Sequence, residues 1–323
     1  MTKTRSIKKL GVNKILQGKK FLILGSTGRL GREICQRLEE LHAIVIPIIL
    51  KGYPEMPKRV EWASSVKPVK IYKKEDLIQL EEFDYVINFH WRVDRSKSFT
   101  EQLLYEINSN LSMHEFLWDW LKEKQPKKFI NISTIKIFSE LNENPVSTSS
   151  VPQPLTPYGI SKIAAENYFR ALFNKTSTQV ISLRLGSISA LGEVPTQLLT
   201  QLFNSAFNNK RIVVNKGHVS NILYIDEAID LIINSTLVGV QDSYLLVGDG
   251  KLNEDISKRF EELSNRKLNA EYQDLNPGVI DPGFVSDRDK LRSSWTRSYS
   301  LDSMIEMIIA LNLRGSSIID TKI

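Results

Sequence analysis

Gly25-Ser26-Thr27-Gly28-Arg29-Leu30-Gly31 decides the fold of this 323-residue chain. The stretch follows Phe21–Leu24, a short apolar run that reads as a buried strand. It opens Arg29–Leu41, where Leu30, Ile34, Leu38 and Leu41 share one helical face. Glycines suit a strand-to-helix turn that is tight and that a pyrophosphate must approach closely. The helix beyond adds free N–H groups and a partial positive charge. Gly25, Thr27, Gly28, Arg29, Leu30 and Gly31 are therefore the expected contacts of a dinucleotide.

Outward from the turn, Ala43–Leu50 is a second apolar run, in which Pro47 is expected to interrupt the ladder or confine the strand to an edge. Val69–Tyr72, Tyr85–Phe89, Lys128–Ile132 and Val180–Leu183 read as further strands, with helices at Glu101–Lys122 and Tyr158–Asn174. This alternation predicts an α/β fold, a Rossmann doubly wound parallel sheet with helices on both faces. After Gly186 the pattern loosens. Helices are expected at Thr196–Phe207, Ile225–Asn234, Asn253–Asn265 and Leu301–Leu311, short strands at Arg211–Val214 and Ser243–Val247, and a loop at Leu275–Phe284. The expected division is a tail over 1–19, a dinucleotide-binding domain over 20–186, and a smaller α/β substrate lobe over 187–323, some of which returns to the first domain.

Charge separates tail from body. The chain has 43 Lys and Arg against 37 Asp and Glu, a net +6. Met1 to Lys20 hold seven basic side chains and no acid, which leaves 36 basic against 37 acidic groups in the rest. A near-neutral body argues against a nucleic-acid partner. The tail reads as a solvated extension; Ile7, Leu10, Val12 and Ile15 also suit contact with an anionic membrane surface. No apolar run approaches the roughly 18 residues of a membrane span, and no secretory h-region is seen. The single cysteine, Cys35, excludes an internal disulfide and a multi-cysteine zinc site and reads as core packing; no metal is expected. A cytoplasmic protein is the expectation.

The second strand ends Ile48-Ile49-Leu50-Lys51, and no acid occurs between Leu41 and Tyr53. A carboxylate here would grip the adenosine ribose of NAD and repel a 2′-phosphate. Lys51 and Arg29 would pair with that phosphate, which favours NADP(H) over NAD(H).

Tyr158-Gly159-Ile160-Ser161-Lys162 puts a phenol and an ammonium on one helical face, behind a helix-starting Pro157. A neighbouring cation favours phenolate, so the pair can move a proton at a carbinol or carbonyl oxygen while a nicotinamide moves the hydride. Upstream, Ile130-Asn131-Ile132-Ser133-Thr134 ends a strand with two hydroxyls, where ligands of open parallel sheets bind.

With these motifs in hand, the chain resembles an extended short-chain dehydrogenase/reductase, of the NAD-dependent epimerase/dehydratase family that works on nucleotide sugars. The likeness runs roughly from residue 20 to 311 and includes Asp84-Tyr85-Val86-Ile87-Asn88, Leu183-Arg184-Leu185-Gly186 and Leu223-Tyr224-Ile225-Asp226-Glu227. It implies that Thr134, Tyr158 and Lys162 form a catalytic triad, that Tyr158 and Lys162 also contact the cofactor, with Lys162 holding the nicotinamide ribose, and that Asn108 and Phe89 lie beside it. Lys136 and Ser187 would meet a nucleotide-sugar substrate. It also implies a homodimer, built by pairing helices 101–122 (Leu104, Leu111, Trp118, Trp120) and 158–174 (Ala165, Phe169, Phe173).

The departures are informative. The family's 4,6-dehydratases follow the catalytic Thr with an acid, whereas Ile135-Lys136 stands here, which disfavours elimination of water. Phe89-His90-Trp91 replaces small residues beside the cofactor; His90 reads as a packed residue and not a catalyst. Ser220 and Ser187 stand where the family has a substrate Arg and Asn. The expected activity is an NAD(P)-dependent oxidoreductase of the 4-keto-reductase or 4-epimerase type. The alternative is a non-enzymatic NAD(P)-binding regulatory or assembly protein.

Overall fold

Phe21 and Ile23 pack into one apolar layer and Leu22 and Leu24 into another. The first strand is thus buried on both faces, which explains its unbroken apolar sequence. The computed structural model describes residues 16–52, 64–80, 82–189, 198–274 and 283–313. Residues 1–15 of the expected basic tail and 275–282 of the expected loop lie outside the described residues.

The main chain order begins β1 (Lys20–Leu24), α1 (Arg29–Glu40), β2 (Ile44–Leu50), β3 (Val69–Ile71) and β4 (Tyr85–Asn88). It continues with α2 (Phe99–Asn110), α3 (Glu115–Lys124), β5 (Lys128–Thr134), α4 (Pro157–Leu172), β6 (Gln179–Leu185) and β7 (Ser187–Ser189). Then come α5 (Leu198–Asn208), β8 (Ile212–Lys216), β9 (Val219–Tyr224), α6 (Ile225–Val238), β10 (Ser243–Leu246) and β11 (Gly250–Leu252). The last elements are α7 (Asn253–Ser264), β12 (Ala270–Asp274), α8 (Arg288–Leu291) and α9 (Leu301–Leu313).

Seven strands form one parallel sheet in the order β3-β2-β1-β4-β5-β6-β10. The doubly wound Rossmann architecture expected above is what the chain adopts. The winding reverses between β1 and β4, which opens a crevice beyond their C-terminal ends. A smaller part carries β7-β9-β11 and the parallel pair β8-β12. The expected strand at Ser243 belongs to the large sheet, beside β6.

Three expectations need correction. Pro47 is not at an edge: β2 lies between β1 and β3. Ile44 donates its N–H to Lys19 on the β1 side, so by alternation the donor missing at Pro47 faces β3, where pairing starts only at Ile48 with Val69. The single helix expected over 101–122 is broken, because Ser112–His114 forms a 3₁₀ turn between α2 and α3. At that break the Leu111 carbonyl accepts the His114 N–H at 3.2 Å and the Trp118 indole N–H at 2.9 Å. Finally, Leu111, Trp118, Ala165, Phe169 and Phe173 are buried within this chain against the sheet, and only Leu104 of the fully apolar set stands exposed. Those buried residues therefore supply no surface for pairing two copies.

Cys35 is buried in the core, and burial pushes its thiol well up, as core packing requires. Among the described residues no helix is long and apolar enough to cross a membrane, and no cluster of His, Cys, Asp and Glu could hold a metal.

Candidate active site

The glycine turn occupies the mouth of the crevice. Gly25 has φ +73°, and a Cβ there would stand 2.8 Å from the His90 backbone nitrogen. At Gly31 a Cβ would be 2.3 Å from the Gly25 carbonyl oxygen. Both glycines are thus demanded by close backbone packing, against the end of β4 and within the turn itself. Gly28 differs: its Cβ would meet only the Gly25 oxygen, at 3.3 Å, so its outer side is open. Gly28 caps α1 without a side-chain bond, and the first turn holds no acid. The N–H groups there have no carboxylate competing for them, and a pyrophosphate fits. Buried Ser26 pins the turn to β2 by donating its hydroxyl to the Ile48 carbonyl, at 3.0 Å.

Around the turn, Thr27 is buried, Arg29 and Leu30 are half-buried, and Phe89 donates its N–H to the Leu24 carbonyl at 2.9 Å. Lys51 is exposed just past β2. Arg29 acts on the other side, where it opposes the effect of burial that pushes the Tyr224 phenol up to about 12.

Thr134 ends β5, and its side chain is turned toward a cavity of about 240 Å³ that Lys136, Thr156, Ser187, His218 and Ser220 also line. Strand alternation sends Ser133 the other way. Its hydroxyl donates to buried Glu166 at 2.5 Å, and Arg184 closes on the same carboxylate through two nitrogens, at 3.2 and 2.9 Å. Of the two hydroxyls, that of Thr134 accepts the Lys136 N–H at 3.2 Å, which leaves its own proton to offer a ligand. A second cavity of about 350 Å³ adjoins, sharing Ser187, His218 and Ser220.

The start of α4 is pressed onto the turn that follows Thr134. A Cβ on Gly159 would stand 2.2 Å from the Lys136 carbonyl oxygen, so no other residue allows this approach. Thr156 caps the helix by accepting from the Gly159 N–H at 3.1 Å, and Pro157 takes the first position. The half-buried Tyr158 is thereby held beside the Thr134 turn.

One turn further, Lys162 is 4% exposed, and its ammonium donates to the Ile132 carbonyl at 2.9 Å. The Nζ lies 5.8 Å from the Tyr158 ring centroid and 4.0 Å from that of Trp91. The Trp91 indole donates to buried Glu106 at 3.2 Å, which also accepts from Ser161 at 2.5 Å and, through its other oxygen, from Gln102 at 2.7 Å. Burial pulls the Lys162 ammonium down to about 7, against the upward pull of Glu106 and Glu166. The Trp91 indole covers one side of the ammonium.

Asn108, expected to support the site, lies on the exposed face of α2. Two helical residues span about 200°, so Asn110 takes the inward position instead. Asn110 is buried, accepts the Arg92 N–H at 2.6 Å and donates to the Arg92 carbonyl at 2.9 Å. His90 and His114 are buried edge to face, with centroids 4.6 Å apart. Burial first, then the charge of His114, Arg92 and Lys162, holds His90 down to about 3, and burial followed by the Arg92 charge holds His114 down to about 4. His90 is therefore a neutral packed ring. Trp91 is one of the large residues that the sequence places beside the cofactor, whereas no sequence motif marks Arg92, Glu106 or Asn110. The departure from small residues after β4 was the one available signal.

A model of the NAD dependent epimerase/dehydratase family matches residues 21–234. The dTDP-D-glucose 4,6-dehydratase of Dictyostelium discoideum is 26% identical over 207 residues, which is 59% of this chain and 47% of that protein. The chain spans between a third and a half of the length of the curated relatives it matches. Among solved structures, UDP-glucose 4-epimerase of Thermotoga maritima with UDP-glucose has a TM-score of 0.75 at 16% identity, covering 91% of this chain and 99% of that one. A complex of MoeE5 with UDP-glucuronic acid and NAD has a TM-score of 0.71 at 15% identity, covering 92% and 99%.

Proposed function

The chain belongs to the NAD dependent epimerase/dehydratase family, and we propose that it is an NAD(P)-dependent oxidoreductase of a nucleotide-activated sugar, of the 4-keto-reductase or 4-epimerase type. The observation that carries this reading is the Gly159 contact, which locks Tyr158 beside the Thr134 turn with Lys162 one helical turn behind. When bound, the nicotinamide supplies or accepts the hydride. Thr134 hydrogen-bonds the reacting oxygen. Tyr158 gives that oxygen a proton or takes one from it, and the Lys162 ammonium stabilises the phenolate left behind. Lys136 and Ser187, on the wall of the Thr134 cavity, meet the rest of the substrate.

Elimination of water is disfavoured because Ile135 follows Thr134 and can neither protonate a departing hydroxyl nor take an α-proton. NADP(H) is favoured over NAD(H) because Lys51, and no acid, follows β2. A homodimer belongs to the same proposal, through the outer side of α2 where Phe99 and Leu104 are exposed; sedimentation of the purified chain tests it. Purified protein should oxidise NADPH in the presence of a 4-keto nucleotide sugar. Interconversion of two sugars without net cofactor change would select the epimerase type instead.

One observation favours a second reading, a non-catalytic dinucleotide-binding protein: the Trp91 ring covers the Lys162 ammonium. Under that reading Tyr158→Phe leaves every measurable activity of the protein unchanged.

A further inference from the structure

We propose that Arg92 is the residue that selects NADP(H), by gripping a phosphomonoester on the adenosine ribose at the end of β2. This rests on the dinucleotide reading above. In a doubly wound sheet the adenosine ribose of such a cofactor lies beyond the second strand. Here β2 ends at Leu50 and is followed by Lys51, exposed, and Gly52 at φ +82°.

Arg92 comes from the loop after β4, two strands away across β1, yet its guanidinium returns to this point. A Cβ on Gly52 would stand 2.5 Å from Arg92 Nη1. The space that Gly52 leaves by lacking a Cβ is occupied by the incoming guanidinium. The base of Arg92 is fixed: Asn110 holds both its N–H and its carbonyl, at 2.6 and 2.9 Å, and anchors itself on the Glu106 carbonyl at 2.8 Å. The Tyr105 ring supports the guanidinium, 5.6 Å from ring centroid to Cζ.

Arg92 is half-buried, and among the described residues no carboxylate forms an ion pair with it. Its neighbours His90 and His114 are held neutral, so they add no like charge that would repel or compete with it. A permanent cation partly withdrawn from water and without an acid is matched by an arriving anion. A guanidinium presents two parallel N–H groups to two phosphate oxygens, and Lys51 across the same opening adds a second charge. The glycine turn follows β1, the strand next to β2, so it borders the end of β2 where the Arg92 guanidinium reaches Gly52 beside Lys51. One dinucleotide can therefore rest its pyrophosphate on the turn and a 2′-phosphate between the two cations.

Dissociation constants for NADPH and NADH, measured by titration calorimetry on the intact chain, test this. Wild type should bind NADPH at least about tenfold tighter than NADH. Arg92→Gln should weaken NADPH about tenfold or more and leave NADH within about twofold. Retained NADH binding also reports that the variant is folded. Arg92→Lys, which keeps the charge and loses the fork, should fall between the two. Equal losses for both cofactors would overturn the proposal, because Arg92 would then touch a part they share. So would a wild type indifferent to the 2′-phosphate, as expected if the pocket takes free phosphate instead. A wild type that binds neither dinucleotide fails the underlying reading itself, an outcome distinct from either.

Discussion

At the scale of single residues, the proposed chemistry turns on the buried Lys162 ammonium, which packs 4.0 Å from the Trp91 ring. Burial holds the ammonium down to about 7, so on the free protein kcat/KM should fall as pH rises through that value, when the neutral amine no longer stabilises the phenolate. Trp91→Ala admits water and should move this limb upward by about one unit or more; an unmoved limb in the pH profile would mean that the indole is not what keeps the ammonium dry. The His90–His114 pair has a separate consequence. An unfolded histidine charges below 6.5, while folded His114 stays neutral to about 4, so the unfolded state binds more protons in that window. Stability is then fully present above 6.5 and lost as pH falls, by about 2 kcal/mol per histidine between 6.5 and 5. His114→Phe should remove its share, giving a shallower acid limb in denaturant melts taken across this range. The turn at Gly25 and the pair Tyr158 and Lys162 were legible in the sequence because their logic is local spacing. Trp91 was legible as a bulky departure but not its contact, and Arg92, Glu106 and Asn110 were not legible, because these contacts join the loop after β4 to α2 across 15 residues or more. The misplaced Asn108 shows how a two-residue error in helical phase exchanges an exposed side chain for a buried one.

At the scale of elements, the junction of α4 with the turn after β5 sets the position of Tyr158. Gly159→Ala would drive a Cβ to 2.2 Å from the Lys136 carbonyl oxygen, so helix or turn must move. A displacement of about 1 Å in a catalytic group can cost on the order of 100-fold in rate. We expect a kcat loss of that size in steady-state assays, with dinucleotide affinity nearly unchanged because the glycine turn lies on a different element. Strand and helix order was readable because apolar runs and helical spacing are strong signals over the first 185 residues. Pro47 misled because its effect depends on which neighbour its missing donor would face, and that is a property of the sheet. The break between α2 and α3 has no Pro or Gly to mark it. It is stabilised from elsewhere, by the Trp118 indole on the Leu111 carbonyl.

At the scale of the molecule, a buried carboxylate ties the C-terminal segment to the dinucleotide-binding sheet. Asp230 of α6 is fully buried, accepts from Arg37 of α1 at 2.9 Å and from the Arg297 side chain at 2.8 and 3.0 Å. Removing one partner of a buried ion network leaves charge uncompensated, so Asp230→Asn should destabilise by about 3 kcal/mol or more in denaturant unfolding. This tie joins residues 193 apart along the chain, a distance over which sequence spacing carries no information. The two cavities at the Thr134 end of the sheet likewise depend on β7, only three residues long, and on β9, whose apolar run Val219-Ser220-Asn221-Ile222-Leu223-Tyr224 is broken by Ser220 and Asn221. The claim that joins all three scales is that this crevice holds a dinucleotide and that Tyr158 transfers a proton within it. Tyr158→Phe tests it most directly, with NADPH binding and NADPH-dependent reduction of a 4-keto nucleotide sugar measured on the same preparation. The account predicts binding within about twofold of wild type and turnover reduced by about 100-fold or more. Unchanged turnover in the phenylalanine variant would contradict it.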